Sequence, residues 1–158
     1  MKKLLRLVFV AVLLVFLATP AFPLGTVTIV PTRIQVNNVI TRVVLVISWV
    51  GDSANGSVPT TTINSSTYQI QGWYLYSAET KPGTPAPTDQ YSIVINDSSS
   101  LDIAGSLITS RSTTNTELVN VGKASFGYPI VNSNLSFVLT GNSQTSAKGT
   151  LILTFLAN

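Results

Sequence analysis

The side chains that most often carry out catalysis are scarce in this chain. It contains neither histidine nor cysteine, which excludes the serine–histidine–acid arrangement, histidine or thiolate metal sites and a cysteine nucleophile. A serine–lysine pair would need one of the three lysines beyond the first residues. Each of these lies beside a Pro, Gly or Ala in turn-like sequence, where a solvated lysine is the ordinary expectation: Lys81, Lys123 and Lys148. The sequence therefore predicts no catalytic residue and no enzyme.

The carboxylates offer two further kinds of chemistry. There are six of them, namely Asp52, Glu79, Asp89, Asp97, Asp102 and Glu117. A suitably spaced pair hydrolyses glycosides, and Asp97 and Asp102, on either side of a serine turn, are candidates to hold a calcium ion. However, too few carboxylates gather there, and the glycine pattern of a calcium loop is missing. Aspartate at a turn commonly accepts local backbone hydrogen bonds, so we expect turn chemistry, with no metal and no cofactor.

An aromatic group is the remaining candidate for recognition. Trp73, Tyr74 and Tyr76 lie close together in the sequence, and Trp49 precedes them. Aromatic residues on strands more often belong to the core, although strict alternation along a strand buries only half of them. We therefore expect mainly core packing here, and a surface platform for sugars is the alternative.

The composition indicates a folded chain with an uncharged polar surface. Hydrophobic residues make up 45% of the chain and charged residues 9%, against a usual charged share of about 25%. The net charge of +3 comes from Lys2, Lys3 and Arg6. The remainder has as many acidic as basic residues, so it lacks the basic stripe that binds nucleic acid.

The first residues are typical of a secretory signal. The basic start is followed by twelve apolar residues, 7–18, and then by Thr19, Pro20 and Ala21. This matches a basic segment, an apolar segment and small residues near a cleavage point. We predict a signal peptide over residues 1–21, cleaved after Ala21, and an exported protein. An uncleaved membrane anchor is the alternative, although the apolar run is shorter than the ~20 residues of a spanning helix.

From residue 26 onward, β-branched runs alternate with Gly, Pro, Asn and Ser clusters, which predicts short strands. We expect strands over residues 26–36 (interrupted by Pro31), 39–50, 60–63, 68–80, 90–96, 101–109, 116–121, 130–140 and 149–156. The second is apolar on both faces and is expected to be buried on both sides. The last two are expected to form a terminal hairpin. The eight residues expected in the core are Val44, Val46, Ile93, Ile95, Leu135, Phe137, Leu151 and Leu153.

Eight or nine short strands with frequent turns are typical of an all-β fold. We predict one antiparallel β-sandwich or jelly-roll-like domain over residues 22–158, preceded by the hydrophobic signal segment. Between two of its strands lies a proline-rich segment, which we expect to be an exposed, ordered loop at a subunit contact. Its residues are Lys81, Pro82, Gly83, Thr84, Pro85, Ala86, Pro87, Thr88 and Asp89.

Residues 72–119 resemble a group of small phage virion proteins. Members of that group have an aromatic strand, a Thr-x-Pro-Gly-x-x-Ala-Pro-Thr-Asp loop, a Tyr-x-Ile strand, an Asp-containing turn and an Arg-Ser-Thr-x-Asn-Thr-Glu stretch. After the aromatic strand, the loop, the Tyr-x-Ile strand, the Asp-containing turn and the last stretch correspond here to residues 80–89, 91–93, 97–102 and 111–117. The resemblance implies a β-rich structural component of a virus particle, with no catalytic residues to carry over.

Two functions therefore remain open. The first is a structural protein that self-associates into a coat, particle or fibre, at the cell surface or in a virion. The alternative is a secreted glycan-binding or adhesin-like module that uses Trp73, Tyr74 and Tyr76. Neither involves nucleic acid, and the membrane enters only through the N-terminal segment.

Overall fold

The protein folds as two antiparallel β-sheets, as the sequence predicts. The computed structural model describes residues 24–36, 38–121 and 129–157, so the predicted signal peptide lies outside the described residues. The elements are β1 Thr26–Val36, β2 Val39–Val50, β3 Thr61–Ile63, α1 Ser65–Tyr68, β4 Tyr74–Pro82, β5 Ser92–Asn96, β6 Glu117–Asn120, β7 Leu135–Thr140 and β8 Lys148–Leu156. One sheet has the order β1-β2-β8-β4-β6 and the other β3-β7-β5. Among the described residues, no helix has the length and apolar character that a membrane crossing requires.

The core lies between the two sheets and is built from alternating positions on each strand. Six of the eight predicted core residues are buried, namely Ile93, Ile95, Leu135, Phe137, Leu151 and Leu153. Val44 and Val46 are only half-buried, so the prediction for them is wrong. Strand β2 is central, between β1 and β8, but it buries its odd-numbered side chains, from Val43 to Trp49. Only one face of β2 meets the other sheet, because the opposite face has no described layer over it.

The predicted terminal hairpin is wrong. β7 pairs with β3 and β5, whereas β8 pairs with β2 and β4. Residues 141–147 therefore cross from one sheet to the other. Alternation along a strand shows which side chains share a face, but it does not show which neighbour completes the backbone hydrogen bonds.

The predicted strand over residues 68–80 begins six residues late. Tyr68 is the last residue of α1. Asn64 precedes this helix and caps it, since its side chain accepts a hydrogen bond from the Thr67 backbone N–H at 2.8 Å. Asparagine satisfies the free amides of a first helical turn in this way. Gln69 then adopts a left-handed conformation, with φ of 58°, and ends the turn. The local capping by Asn64 outweighs the alternation that suggested a strand.

Strand β5 alternates between buried and half-buried side chains, and the segment that follows covers its edge. Tyr91, Ile93 and Ile95 are buried, while the residues between them are half-buried. The predicted strand over residues 101–109 is absent, yet this segment runs alongside β5. Ile103 donates to the Ile95 carbonyl and Ile93 to the Ile108 carbonyl, both at 2.9 Å. Backbone groups at this edge are thus paired without a regular strand.

Candidate interaction surfaces

The proline-rich segment is joined to the sheet more closely than predicted. Lys81 and Pro82 are the last residues of β4 and lie opposite Thr150 and Gly149. Beyond them, Gly83 donates to the Lys148 carbonyl at 2.8 Å. A Cβ on Gly83 would lie 2.7 Å from the Cβ of Lys148, so this close approach requires glycine. The prediction that all nine residues form a loop is therefore wrong at its first two.

The rest of the segment is only partly exposed. Thr84, Pro85 and Asp89 are exposed, as predicted, but Pro87 is buried. The Pro85 carbonyl accepts a hydrogen bond from Lys148 at 2.8 Å. Proline restricts the backbone without needing a hydrogen-bond partner for its nitrogen, which suits a segment that packs on the domain in an extended form.

Thr88 and Asn142 tie three connections together at this end of the sandwich. The Asn142 amide oxygen accepts from the Thr88 N–H at 2.9 Å, and its nitrogen donates to the Gly56 carbonyl at 2.6 Å. The Thr88 hydroxyl accepts from the backbone N–H groups of Ser143 and Gln144, at 2.9 and 3.1 Å. The Asn142 side chain thus links the connections that follow β2, β4 and β7, so the three form one polar surface.

Asp52 shapes the first of these connections. Asp52 is buried, with 4% of its surface exposed. Its carboxylate accepts hydrogen bonds from the backbone N–H groups of Ala54 and Asn55 at 2.7 and 3.0 Å. Gly56 follows with φ of +74°, a conformation that glycine adopts without strain. The Asp52 carboxylate thus stabilises a tight turn after β2.

Asp97 and Asp102 also serve turns. Asp97 accepts from Ser99 and Leu101 at 2.8 and 3.0 Å. Asp102 accepts from Ile95, Ala104 and Ser106 at 3.2, 3.0 and 2.7 Å. These contacts support the predicted turn chemistry. Among residues 24–36, 38–121 and 129–157, no three acidic side chains gather in a way that could hold a metal ion.

Lys81 and Glu79 form an ion pair on the outside of β4. The Lys81 Nζ lies 2.9 Å from a Glu79 oxygen. The Nζ of a lysine that acts as a general base must be free to reach a serine hydroxyl, whereas this one is in contact with a carboxylate on the surface. This contact weighs against a serine–lysine site at this position.

The aromatic residues divide between the core and the surface. Trp49 is buried, 2% exposed, and Trp73 is half-buried and packs against the core. Tyr74 is half-buried, and Tyr76 is the most exposed of the group, at 36%. Tyr76 lies where the pairing of β4 with β8 shifts register, between Leu75 and Ser77. The predicted sugar platform therefore has one half-buried tryptophan and two tyrosines that differ in exposure.

Sequence reasoning missed an apolar surface on the outside of the five-stranded sheet. Register places Val30, Val46, Ile152, Glu79 and Leu118 in one row across the five strands. Directly opposed residues project from the same face of a sheet. Val30 and Leu118, at the two edges, are 54% and 63% exposed, while Val46 and Ile152 are half-buried. We call the apolar residues of this side the valine face: Val30, Ile34, Val44, Val46, Val50, Leu118, Ile152 and Leu156.

The outside of the smaller sheet is different. Val94 and Val138 lie opposite each other at its centre. Their neighbours on that side are polar, namely Thr62, Ser92, Asn96, Ser136 and Thr140. The two outer surfaces of the sandwich therefore differ in apolar content. The signal in the sequence was the run of valines in β2, because it leaves apolar residues at the positions that alternate with the core.

Strand β1 forms a long edge of the larger sheet. It continues across Pro31, which lies opposite Leu45, so the expected interruption is wrong. Gly51 donates to the Ala147 carbonyl and Ala157 to the Thr41 carbonyl, so odd-numbered residues of β2 direct their backbone groups to β8. In register, the odd-numbered residues of β1 direct theirs to the open side. The nitrogen of Pro31 thus faces the open edge, where a proline costs no hydrogen bond within the sheet.

Comparison with known proteins adds no relative. No family model, curated protein or solved structure matches the chain.

Proposed function

We propose that this protein is a non-enzymatic structural protein that self-associates, and that it serves as a coat or fibre component of a phage-like particle. The observation that supports self-association is the valine face, since Val46 and Ile152 are only half-buried although they lie on interior strands of a five-stranded sheet. Contiguous apolar surface on the outside of a domain marks an interaction site. The virion assignment follows from the resemblance of residues 72–119.

Charge supports the same proposal. Beyond the three basic residues of the leader, acidic and basic residues are equal in number. A domain near zero net charge has little long-range repulsion between its copies. The surface polarity comes from Ser, Thr, Asn and Gln, which carry no charge that would oppose close packing.

The leader gives the proposal its location. An exported chain, cleaved after Ala21, would assemble outside the cytoplasm or at a membrane. The N-terminal strand β1 starts at Thr26, so a mature chain beginning at Phe22 would retain the whole described domain.

Glycan binding is the second candidate, and Tyr76 favours it. Its 36% exposure leaves ring surface on which a sugar can stack. Trp73 contributes less, because it packs against the core. Glycan-array binding that is lost in Tyr76→Ala, with the thermal unfolding midpoint unchanged, would support this candidate. Equal binding by Tyr76→Ala would remove it.

The structural role is tested in the source organism. Particles and filaments purified from cultures that produce the protein should contain it as a stoichiometric component, detected by mass spectrometry. The mature protein should also show a multiple of its chain mass in light scattering. A monomer that is absent from every such particle or filament would overturn the proposal.

A further inference from the structure

We propose that two copies of this chain associate by packing one valine face against the other, and not by joining their sheets edge to edge. This inference rests on the proposed function and names the surface through which self-association occurs. A second copy is the occupant, because the open edges oppose sheet extension and the outer surface of the larger sheet has the area of a stable interface between two such domains.

Strand β1 is poorly suited to pair with another strand. Pro31 removes a donor from its open side, and the register shifts between Ile34 and Gln35. Arg33 lies on the same face of β1 as Val27 and Ile29, which pack against the core. Its guanidinium donates a hydrogen bond to the Thr67 carbonyl at 3.3 Å. Proline, irregular register and a charge turned toward the sandwich are three ways in which natural proteins prevent edge-to-edge association.

The other described edges offer little more. β3 has three residues and β6 has four, and the segment after β5 covers that strand's open side, as Ile103 and Ile108 show. Two copies that paired their edge strands would therefore form few backbone hydrogen bonds. Such bonds need an edge strand with free backbone groups on each copy.

The outer surface of the five-stranded sheet, which includes the valine face, has the size that a stable interface needs. Register gives rows that include Thr28–Ser48–Thr150, Val30–Val46–Ile152, Thr32–Val44–Thr154 and Ile34–Arg42–Leu156. With strands about 4.8 Å apart and alternate residues about 7 Å apart, the sheet presents roughly 24 by 27 Å, or ~650 Å² per copy. Two copies would bury ~1,300 Å², within the range of about 1,200–2,000 Å² for standard protein interfaces.

The chemistry of this face suits contact with a like surface. Its middle rows consist mainly of Val, Ile and Thr, whose short, stiff side chains lose little rotamer freedom on packing. Charge within the rows is partly neutralised by the Glu79–Lys81 pair. The other charged residues on this side of β2 and β8, Arg42 and Lys148, lie at opposite ends of these strands, beside Leu156 and Val50, away from Val46. Two such sheets can pack at the ~10 Å separation that is usual for sandwich layers.

The test compares matched valines on the two outer surfaces. Val46 on β2 and Val138 on β7 are both half-buried, and both lie on strands that are paired on each side. The full-length gene is expressed, and the protein is purified after any processing by the cell. Sedimentation equilibrium then compares the wild type with the Val46→Arg and Val138→Arg variants. We expect Val46→Arg to weaken association at least about thirtyfold, the scale of losing an interface hot spot. Val138→Arg should associate as the wild type does.

A milder variant guards against misfolding. Combined Val46→Thr and Ile152→Thr keeps β-branched side chains, so strand propensity is retained, and thermal unfolding confirms the fold. This variant should also dissociate. If both Val46 variants associate like the wild type, the copies use another surface and this inference is overturned while the proposed function stands. If the wild type is itself a monomer, the proposed function fails and this inference fails with it.

Discussion

The indole of Trp49 meets the phenol ring of Tyr91 edge to face, with ring centroids 5.9 Å apart and an interplanar angle of 61°. Trp49 belongs to β2 of the larger sheet, and Tyr91 immediately precedes β5 of the smaller one, so the contact joins the two layers. Edge-to-face geometry is favourable for aromatic pairs. Gly149 makes room for it, because a Cβ there would lie 2.4 Å from the indole. The Trp49 Nε1 is buried with no hydrogen-bond partner among the described residues, so the tryptophan contributes by packing.

Tyr91 predicts a loss of stability at alkaline pH. Burial raises the pKa of its hydroxyl above the ordinary value. A folded-state pKa above the unfolded value of about 10 means that stability is full below pH 10 and falls as the pH rises through the folded pKa. Urea unfolding at pH 8 and pH 11 should show a smaller decrease for Tyr91→Phe than for the wild type. Equal decreases would show that the phenol does not control alkaline stability.

Phe137 should be a major contributor to the core. Its side chain on β7 is 0% exposed, so Phe137→Ala removes buried apolar volume and should reduce the free energy of unfolding by about 3–5 kcal/mol. The adjacent Val138 faces outward and supplies the control, since Val138→Ala should cost less than about 1 kcal/mol. Denaturant titration measures both. Similar losses for the two variants would contradict the assignment of faces on β7.

Asn142 should stabilise the end of the sandwich where three connections meet. Replacing it with Ala leaves the Gly56 carbonyl and the Thr88 N–H without this partner, which should cost about 1–3 kcal/mol. Thr145→Ala, at an exposed position of the same connection, should be nearly neutral. Hydrogen exchange should report faster exchange of the Thr88 amide in the Asn142 variant. Unchanged exchange would mean that the connections are held independently.

The leader predicts the mass of the mature protein. Because residues 7–18 are shorter than a membrane span, cleavage after Ala21 should leave Phe22 at the N-terminus. Intact-mass measurement on protein from its native source decides between cleavage and anchoring. A mass that includes the first 21 residues would favour the uncleaved anchor.

The fold class could be predicted from the sequence because alternation within each strand is a local property. Ile93, Ile95, Leu151 and Leu153 are buried as their spacing indicates. The partners of β7 and β8 could not be predicted, since pairing depends on long-range contacts that local alternation does not encode. The α1 turn was missed although Asn64, its cap, is a recognisable signal.

The candidate surfaces were harder to predict. The proline-rich segment was identified, but the burial of Pro87 depends on tertiary packing that the local sequence does not show. The valine face was missed because Val44 and Val46 were read as core on both sides of β2. Val44 and Val46 lie on the side of the larger sheet that has no described layer over it. The sequence of β2 alone does not show which of its two faces is covered.

Sedimentation equilibrium on the mature protein measures self-association directly, as the average mass at each protein concentration. Samples at neutral pH and physiological salt span micromolar to millimolar concentrations, where weak and strong interfaces can be distinguished. The average mass should rise with concentration to at least twice that of the single chain. A mass that stays at one chain up to millimolar concentration would contradict the account.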